Sequence, residues 1–568
     1  MKKNRILLVG LALMLLGTTA SADDKTETLT SPDGNIKLEV AVGRQLTLSA
    51  FRGDELILDA CPLSLQVGNE QFGANPRLSG TKRSTVNEVI RPVVPLKQAQ
   101  VPNRANQLTL SFKGGIGLDL RAYDNGVAYR FTIKKGKGQT DVVSEGLDLR
   151  MPEAFTAHIS KTRGFGTSYE NPYTHIPMSE LKADDEMTYL PVLFETPRGT
   201  KVLFSESDVR DYPHMFLQPT GKNGFSARHP KSPEAWQPNG DRGWRITKER
   251  PCIARTDATR TLPWRFAVIG TDADIALNQM EVVLGGKCEF GDTSWIKPGK
   301  VCWDWWNHWT VWGVDFETGI NNDTYKYIIE TASKFGVEYI LLDEGWNKRV
   351  EDPFTTRDDI NVQELVDYGR EKNVGIILWL SWLTVEQHFD LIPFYAKMGV
   401  KGLKIDFMDH SDQWMVNFYE RVARECARNV CSSISTGRSS LPAWSSGCQT
   451  SSPTKAFADW NRAEAVARTT ASGCLSCAMP WGRWTSPQVL WRTHSPMRTV
   501  APATDRWGVA PVPTRWPSTS ASRVACRCWP IVPRAICAKP SVRSSSLQYP
   551  PHGTRPACSP PVPATTMS

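Results

Sequence analysis

Between residues 301 and 428 strand and helix patterns alternate with short connections, and that rhythm restricts the fold more than any other feature. Val301-Cys302-Trp303-Asp304 reads as a strand, and Thr324 to Phe335 carries apolar residues at helical spacing. Val337 to Leu342 is a strand ending at Asp343-Glu344-Gly345-Trp346. Val362 to Lys372 is helical, and Gly375 to Leu380 is a strand ending at Ser381-Trp382. Val385 to Met398 is helical, Gly402 to Phe407 is a strand, and Gln413 to Arg428 is a helix. Parallel strands need helical crossovers of this kind, and crossovers of one hand roll the sheet into a barrel. Residues 291–429 are therefore expected to be the first half of a (β/α)8 TIM barrel, here incomplete. Such barrels place their chemistry at the C-terminal strand ends, where polar and aromatic residues gather here.

The preceding segment, 23–290, has a different grammar. Ile36 to Val40, Leu108 to Phe112 and Ala128 to Thr132 are short apolar or alternating runs. They sit between turn signals such as Asp33-Gly34 and Asp124-Asn125-Gly126. Many short strands with frequent turns predict an N-terminal β-sandwich domain. Residues 1–22 read as an export signal: Lys2, Lys3 and Arg5, then an apolar Ile6 to Leu16, then Ala20-Ser21-Ala22. The apolar core is too short to span a bilayer, and no later stretch approaches the ~20 residues of a membrane helix. The mature protein is expected to be periplasmic or secreted, with no membrane contact once the signal is removed.

The formal charge of +8 misleads about partners, because it is unevenly placed. Residues 430–568 hold 15 Lys and Arg against 3 Asp and Glu, a net of +12. The remainder holds 52 against 56, a net of −4, so the body gives no reason to expect nucleic acid. From about Val430 both periodicities collapse, and 18 of the 39 prolines fall there. A disordered tail is the ordinary reading. Eight Trp and eight Cys in that tail are unusual for natural disorder, however, and a barrel stopped after four strands leaves unpaired edges. Cys474-x-x-Cys477 and Cys526-x-Cys528 lack the second pair a zinc site needs.

Cleaving a glycosidic bond requires two carboxyl groups flanking it, with aromatic and polar groups to hold the ring. Asp406, at the end of a buried strand, is the candidate nucleophile; a strand-end Asp can equally be a metal ligand or a cap. Asp409 and Asp412 read as caps of the next helix or as orienting groups. Asp343 and Glu344 can accept hydrogen bonds from sugar hydroxyls, with Trp346 as an apolar platform, or the segment can be a turn with a buried Trp. Trp303, Trp305, Trp306, Trp309 and Trp312 form a dense aromatic group suited in part to sugar faces. Glu170 reads, on sequence alone, as a surface carboxylate.

The motifs Trp303-Asp304-Trp305-Trp306-Asn307, Leu341 to Trp346 and Gly402-Leu403-Lys404-Ile405-Asp406-Phe407-Met408-Asp409 follow a signal and a sandwich in that order. Over residues 24–429 the chain resembles glycoside hydrolase family 97. The resemblance implies an exo-acting, calcium-dependent α-glycosidase with an N-terminal super-sandwich. That family has inverting α-glucosidases and retaining α-galactosidases, and an Asp at the position of Asp406 marks the retaining branch. The resemblance thus implies a retaining α-galactosidase with Asp406 as nucleophile and a Glu as acid/base. It implies Trp303, Trp305, Asn307, Asp343, Glu344, Trp346 and Lys404 around the substrate, and Glu170 as a ligand of Ca2+. The expected partner is an oligosaccharide with a non-reducing α-linked sugar, bound by a monomer. An α-glucosidase is the alternative within the family. An inactive remnant with only a carbohydrate-binding sandwich is the alternative outside it.

The family continues with barrel strands and Glu residues that the printed tail lacks. Codons for Ser432 to Ala443 can, read one base displaced, encode VDFHGAFKPAG, and those for Pro442 to Asn461 GLELRLPNVLTYEGVRGLE. Met479 to Leu490 and Thr519 to Pro533 yield DAVGPVDFTPGAL and VGFESGLQMLADSP in the same frame. These strings resemble the family's barrel in order. The tail 430–568 is therefore expected to be frameshifted and disordered. The two glutamates of YEGVRGLE, resembling a calcium ligand and the acid/base, exist only in the displaced frame.

Overall fold

The computed structural model describes residues 25–94, 97–435 and 527–529, with the side chains of residues 306, 307, 434, 435 and 527–529 excepted. The export signal expected at 1–22 and almost all of the tail expected to be out of frame lie outside the described residues.

Alternating burial builds the sandwich. In Ile36–Val42, Ile36, Leu38, Val40 and Val42 point into the core and the residues between them are half-exposed. Asp124 and Asn125 turn the chain from Ile116–Tyr123 into Gly126–Arg150, the long spine of the domain. Only glycine fits at 126, because a Cβ there would stand 2.2 Å from the Ala267 carbonyl oxygen. The spine pairs antiparallel with Glu55–Val67, Gly224–Arg228, Ala254–Thr261 and Trp264–Gly270 as well as Ile116–Tyr123. One strand thus bonds both to the first hairpins and to the last strands, and closes the domain. A separate hairpin, Pro233–Asn239 with Gly243–Glu249, leaves the sandwich and lies against the second domain.

The second domain begins with four parallel strands in chain order: β1 (Lys300–Trp303), β2 (Tyr339–Leu342), β3 (Gly375–Ser381) and β4 (Gly402–Asp406). Helices α1 (Asn322–Lys334), α2 (Val362–Glu371), α3 (Trp382–Gln387), α4 (Leu391–Met398) and α5 (Gln413–Arg428) cover the connections. Asn321 caps α1 by accepting the Thr324 N–H at 2.9 Å, and Asn361 caps α2 through Glu364. Nearest-neighbour parallel order is the expected half of a (β/α)8 barrel. No helix among the described residues is long and apolar enough to cross a membrane.

Two expectations need correction. The helix expected over Val385 to Met398 is two helices, α3 and α4, separated at His388 to Asp390. Pro393 falls in the first turn of α4, where its missing N–H costs nothing; in a continuous helix it would have broken a hydrogen bond. The ordered barrel also runs past 429. Ser432–Ser435 (β5) pairs parallel with β4, and Arg527–Trp529 pairs parallel with β1.

One part of the seam between domains is built from polar contacts. Buried Arg265 pairs with Glu145 at 2.9 Å and with Glu206, which accepts from His214 at 2.6 Å. That cluster fixes the loop in which the His214 N–H donates to the Ser411 carbonyl at 2.9 Å. In the same loop Asp211 accepts from Gln413 at 2.6 Å and Asn417 at 2.8 Å, holding the start of α5.

Candidate active site

The end of β4 is the centre of the arrangement. Asp406 is half-buried, and three donors surround its carboxylate. Trp379 Nε1 donates to Oδ2 at 3.2 Å, the Phe407 N–H donates to Oδ1 at 2.9 Å, and Lys404 Nζ stands 3.4 Å from Oδ2. Strand alternation puts Lys404 and Asp406 on one face of β4, and Trp379 is directly opposite Lys404 in the register of β3. Phe407 has φ +66°, a conformation that costs a non-glycine residue about 1–3 kcal/mol. The strand must leave its pleat there for the backbone N–H to turn back to the carboxylate beside it.

Lys404 is buried and shared. Its Nζ lies 2.5 Å from Asp343 Oδ2 and 4.4 Å from the centre of the Trp303 ring. Trp303 Nε1 donates to the same Asp343 oxygen. Asp304, the residue after β1, lies below: it accepts the Asp343 N–H at 3.1 Å and the Tyr325 hydroxyl at 2.7 Å. Burial, then the charge of Asp343, pushes Asp304 up to about 8. Above it, Lys404 stands between the carboxyl groups of Asp343 and Asp406, one cation shared by two acids. Together with Trp379 and the Phe407 N–H, this line holds the Asp406 carboxylate in one orientation.

Beyond the strand, Asp409 is raised to about 6 by burial and then by the charge of Asp406. Asp412 is the N-cap of α5, accepting the Trp414 N–H at 3.0 Å and the Met415 N–H at 3.1 Å. Burial nevertheless pushes it up to about 7. His410, behind Trp244, is pushed down to about 4 by burial.

The expected sugar-binding residues separate into two groups. Trp303, Asp343 and Lys404 converge on Asp406, and Trp305 stacks on Trp303 with ring centres 5.6 Å apart. Asn307 lies in the short turn after β1, its side chain outside the described atoms. Glu344 reaches the rim but is tied to Arg242 by two hydrogen bonds of 2.9 and 2.7 Å. Trp346 is not a platform: it is fully buried, its Nε1 donates to the Trp379 carbonyl at 2.8 Å, and its ring packs on Tyr395. Glu170 is half-buried in the sandwich loop that docks on the barrel, where the Thr167 N–H donates to the Asp409 carbonyl at 2.9 Å. Among the described residues no three His, Cys, Asp or Glu side chains stand together in the way a metal ion requires.

Sequence reasoning missed Trp379, Asp304 and Arg242 as site residues. The first two carried a signal, a donor-bearing aromatic near one strand end and a carboxylate just past another. Arg242 carried only a turn signal, Asn239-Gly240, in a different domain.

Comparison with known proteins bears on the whole arrangement. The model "Glycosyl-hydrolase 97 N-terminal" matches residues 29–285, and "Glycoside hydrolase 97" matches residues 303–432. Over 434 residues the chain is 39% identical to a retaining α-galactosidase of Bacteroides thetaiotaomicron, covering 74% of this chain and 65% of the relative. The chain thus spans less than two thirds of that relative's length. A family 97 enzyme of Pseudoalteromonas sp. strain K8, solved with acarbose, superposes with a TM-score of 0.62 at 21% identity, over 72% of this chain and 66% of that one. A β-arabinopyranosidase superposes with a TM-score of 0.61 at 22% identity, over 76% and 70%. At those identities the structural likeness is one of fold. Matches to both domain models, in order and across both halves of the described structure, establish that the chain belongs to glycoside hydrolase family 97.

Proposed function

We propose that this chain carries the nucleophile of a retaining α-galactosidase that removes a non-reducing α-linked sugar from an oligosaccharide. The observation that carries the reading is the Asp406 carboxylate at the C-terminal end of β4, held by Trp379, Phe407 and Lys404. The name of the 39% identical relative supports the galactoside preference and the retaining course. Asp406 attacks the anomeric carbon as the bond to the leaving oxygen breaks, giving a glycosyl-enzyme. A carboxylic acid gives its proton to that oxygen, then takes one from the water that releases the sugar. Retention needs that second carboxyl about 5–5.5 Å from the first.

We infer that the second carboxyl is encoded in the displaced frame. The family match ends at residue 432, and β5 begins there, where the displaced frame reads VDFH. Calcium enters through the family resemblance, with Glu170 among its ligands. One half-buried carboxylate falls short of the six to eight oxygens such an ion takes, so no step here runs through it.

The test uses α-galactosyl and α-glucosyl fluorides carrying a second fluorine at ring carbon 5. Fluoride leaves without a proton, so the reaction needs the nucleophile and not the acid. Mass spectrometry should find the galactosyl adduct on the peptide containing Asp406 and none in Asp406→Asn. An adduct from the glucosyl donor alone makes the enzyme an α-glucosidase. Absence of an adduct from both donors refutes the assignment.

A further inference from the structure

We propose that Arg242, at the tip of the sandwich hairpin, is a positioning residue for Asp406; this rests on the reading of Asp406 as nucleophile. The hairpin is anchored by aromatic packing. Trp244 is buried with its ring centre 5.2 Å from Trp382 and 4.5 Å from Trp414, and Trp236 lies 5.4 Å from Trp414. These contacts fix a sandwich element on α3 and α5 of the barrel and carry its tip to the strand ends.

There the tip touches three successive strand ends. The Asp241 carbonyl accepts from Ser381 Oγ, at the end of β3, at 3.5 Å. The Arg242 guanidinium grips Glu344, beyond β2, with two hydrogen bonds, and Asp241 with two more of 3.0 and 3.2 Å. Its face lies 5.3 Å from the centre of the Phe407 ring, beyond β4. The same ring meets Trp379 edge-on at 6.2 Å.

Phe407 thus contacts both Arg242 and the indole that donates to Asp406 Oδ2, while its own N–H donates to Oδ1. A left-handed conformation persists in a bulky residue only when its surroundings over-determine it. Arg242 is the part of those surroundings supplied by the other domain. With four of its five N–H groups engaged by Glu344 and Asp241, the guanidinium is held in one place over the ring and restrains it. Arg242 acts on Asp406 through Phe407 and need not touch the sugar.

The experiment compares the full-length chain with Arg242→Ala and Arg242→Lys. The side chain is one third exposed at a hairpin tip, so both variants are expected to fold; circular dichroism and melting temperature verify this. The first readout is hydrogen exchange of the peptide spanning 404–412, which needs no turnover. Exchange should speed at least 5-fold in Arg242→Ala and recover in part in Arg242→Lys, which keeps a cation over the ring. The second readout is labelling by the 5-fluoro galactosyl fluoride. Its limiting rate should fall at least 10-fold in Arg242→Ala, with the half-saturating concentration changed less than 3-fold. Unchanged exchange in Arg242→Ala overturns the inference whatever the labelling does. A rise in half-saturation alone also overturns it, because Arg242 would then bind sugar. Failure of the unsubstituted chain to label refutes the nucleophile assignment instead, and exchange still decides whether Arg242 braces the loop.

Discussion

Replacing Lys404 by Met probes the buried charge line directly, and its cost follows from the geometry. Lys404 and Asp343 are both almost wholly buried, with Nζ and Oδ2 2.5 Å apart. Desolvating two such ions is compensated only by their mutual attraction and hydrogen bonds, so deleting one partner leaves the other uncompensated, at about 3–5 kcal/mol. Here the deletion strands Asp343 and also removes the cation 3.4 Å from Asp406. Asp343→Asn does less harm, because Lys404 keeps Asp406. The double variant strands no charge between 343 and 404, so its cost should fall below the sum of the singles by at least about 2 kcal/mol. Guanidinium unfolding followed by tryptophan fluorescence reads this, since Trp303 packs on Lys404 and Trp379 hydrogen-bonds the neighbouring Asp406. The two domains can unfold separately, so only the transition altered by Lys404→Met is analysed. A loss below about 1 kcal/mol for Lys404→Met, or additive singles, would refute the claim that this line is a coupled buried network.

Stability should also depend on pH above the histidine range. Asp304, Asp412 and Glu281 are pushed up to about 8, 7 and 7, all chiefly by burial, so the folded chain holds protons there that the unfolded chain has released. Stability therefore falls as pH rises from about 6.5 to 8 and then levels, and Asp304→Asn should flatten part of the decline in a melting-temperature series. His158, His229 and His410, pushed down to about 4 by burial, oppose this only below about 6.5. Trp346→Ala should cost about 3–5 kcal/mol in denaturant unfolding as a cavity in the barrel wall, whereas a surface platform would lose almost nothing. An alkyl α-galactoside, whose leaving group needs a proton, should be cleaved once the displaced frame is restored and left intact by the chain as printed. Sequencing across codons 425–440 provides the companion check, and an intact frame shared with close relatives would remove the basis for that expectation.

Much of the architecture was legible because it rests on periodicity. Period-two burial in Ile36–Val42 and the crossover rhythm from Lys300 to Arg428 are local properties, and both survived into the fold. Asp406 could be singled out as a candidate because a carboxylate at the end of an apolar strand lies at the barrel mouth. The break between α3 and α4 was read wrongly because apolar spacing continues smoothly through Phe389 and Leu391, although Pro393 offered the correction. Trp346 was ambiguous on sequence: a Trp beside two carboxylates suits a sugar face and a barrel wall equally. Only the packing of Tyr395 and the Trp379 carbonyl against it decided between them.

The sequence by itself therefore determined the order of domains, the barrel strands and the position of the nucleophile candidate, since each follows from residues close together along the chain. The tertiary structure decided which neighbours Asp406 has. Trp379 comes from the preceding strand, the Asp343 that shares Lys404 from β2, and Arg242 from a hairpin more than 160 positions earlier. Contacts over such separations leave no periodic trace, because they are specified by how two domains pack and not by any local pattern. The strand names the carboxylate, and the fold supplies the cation, indole and guanidinium that hold it in place.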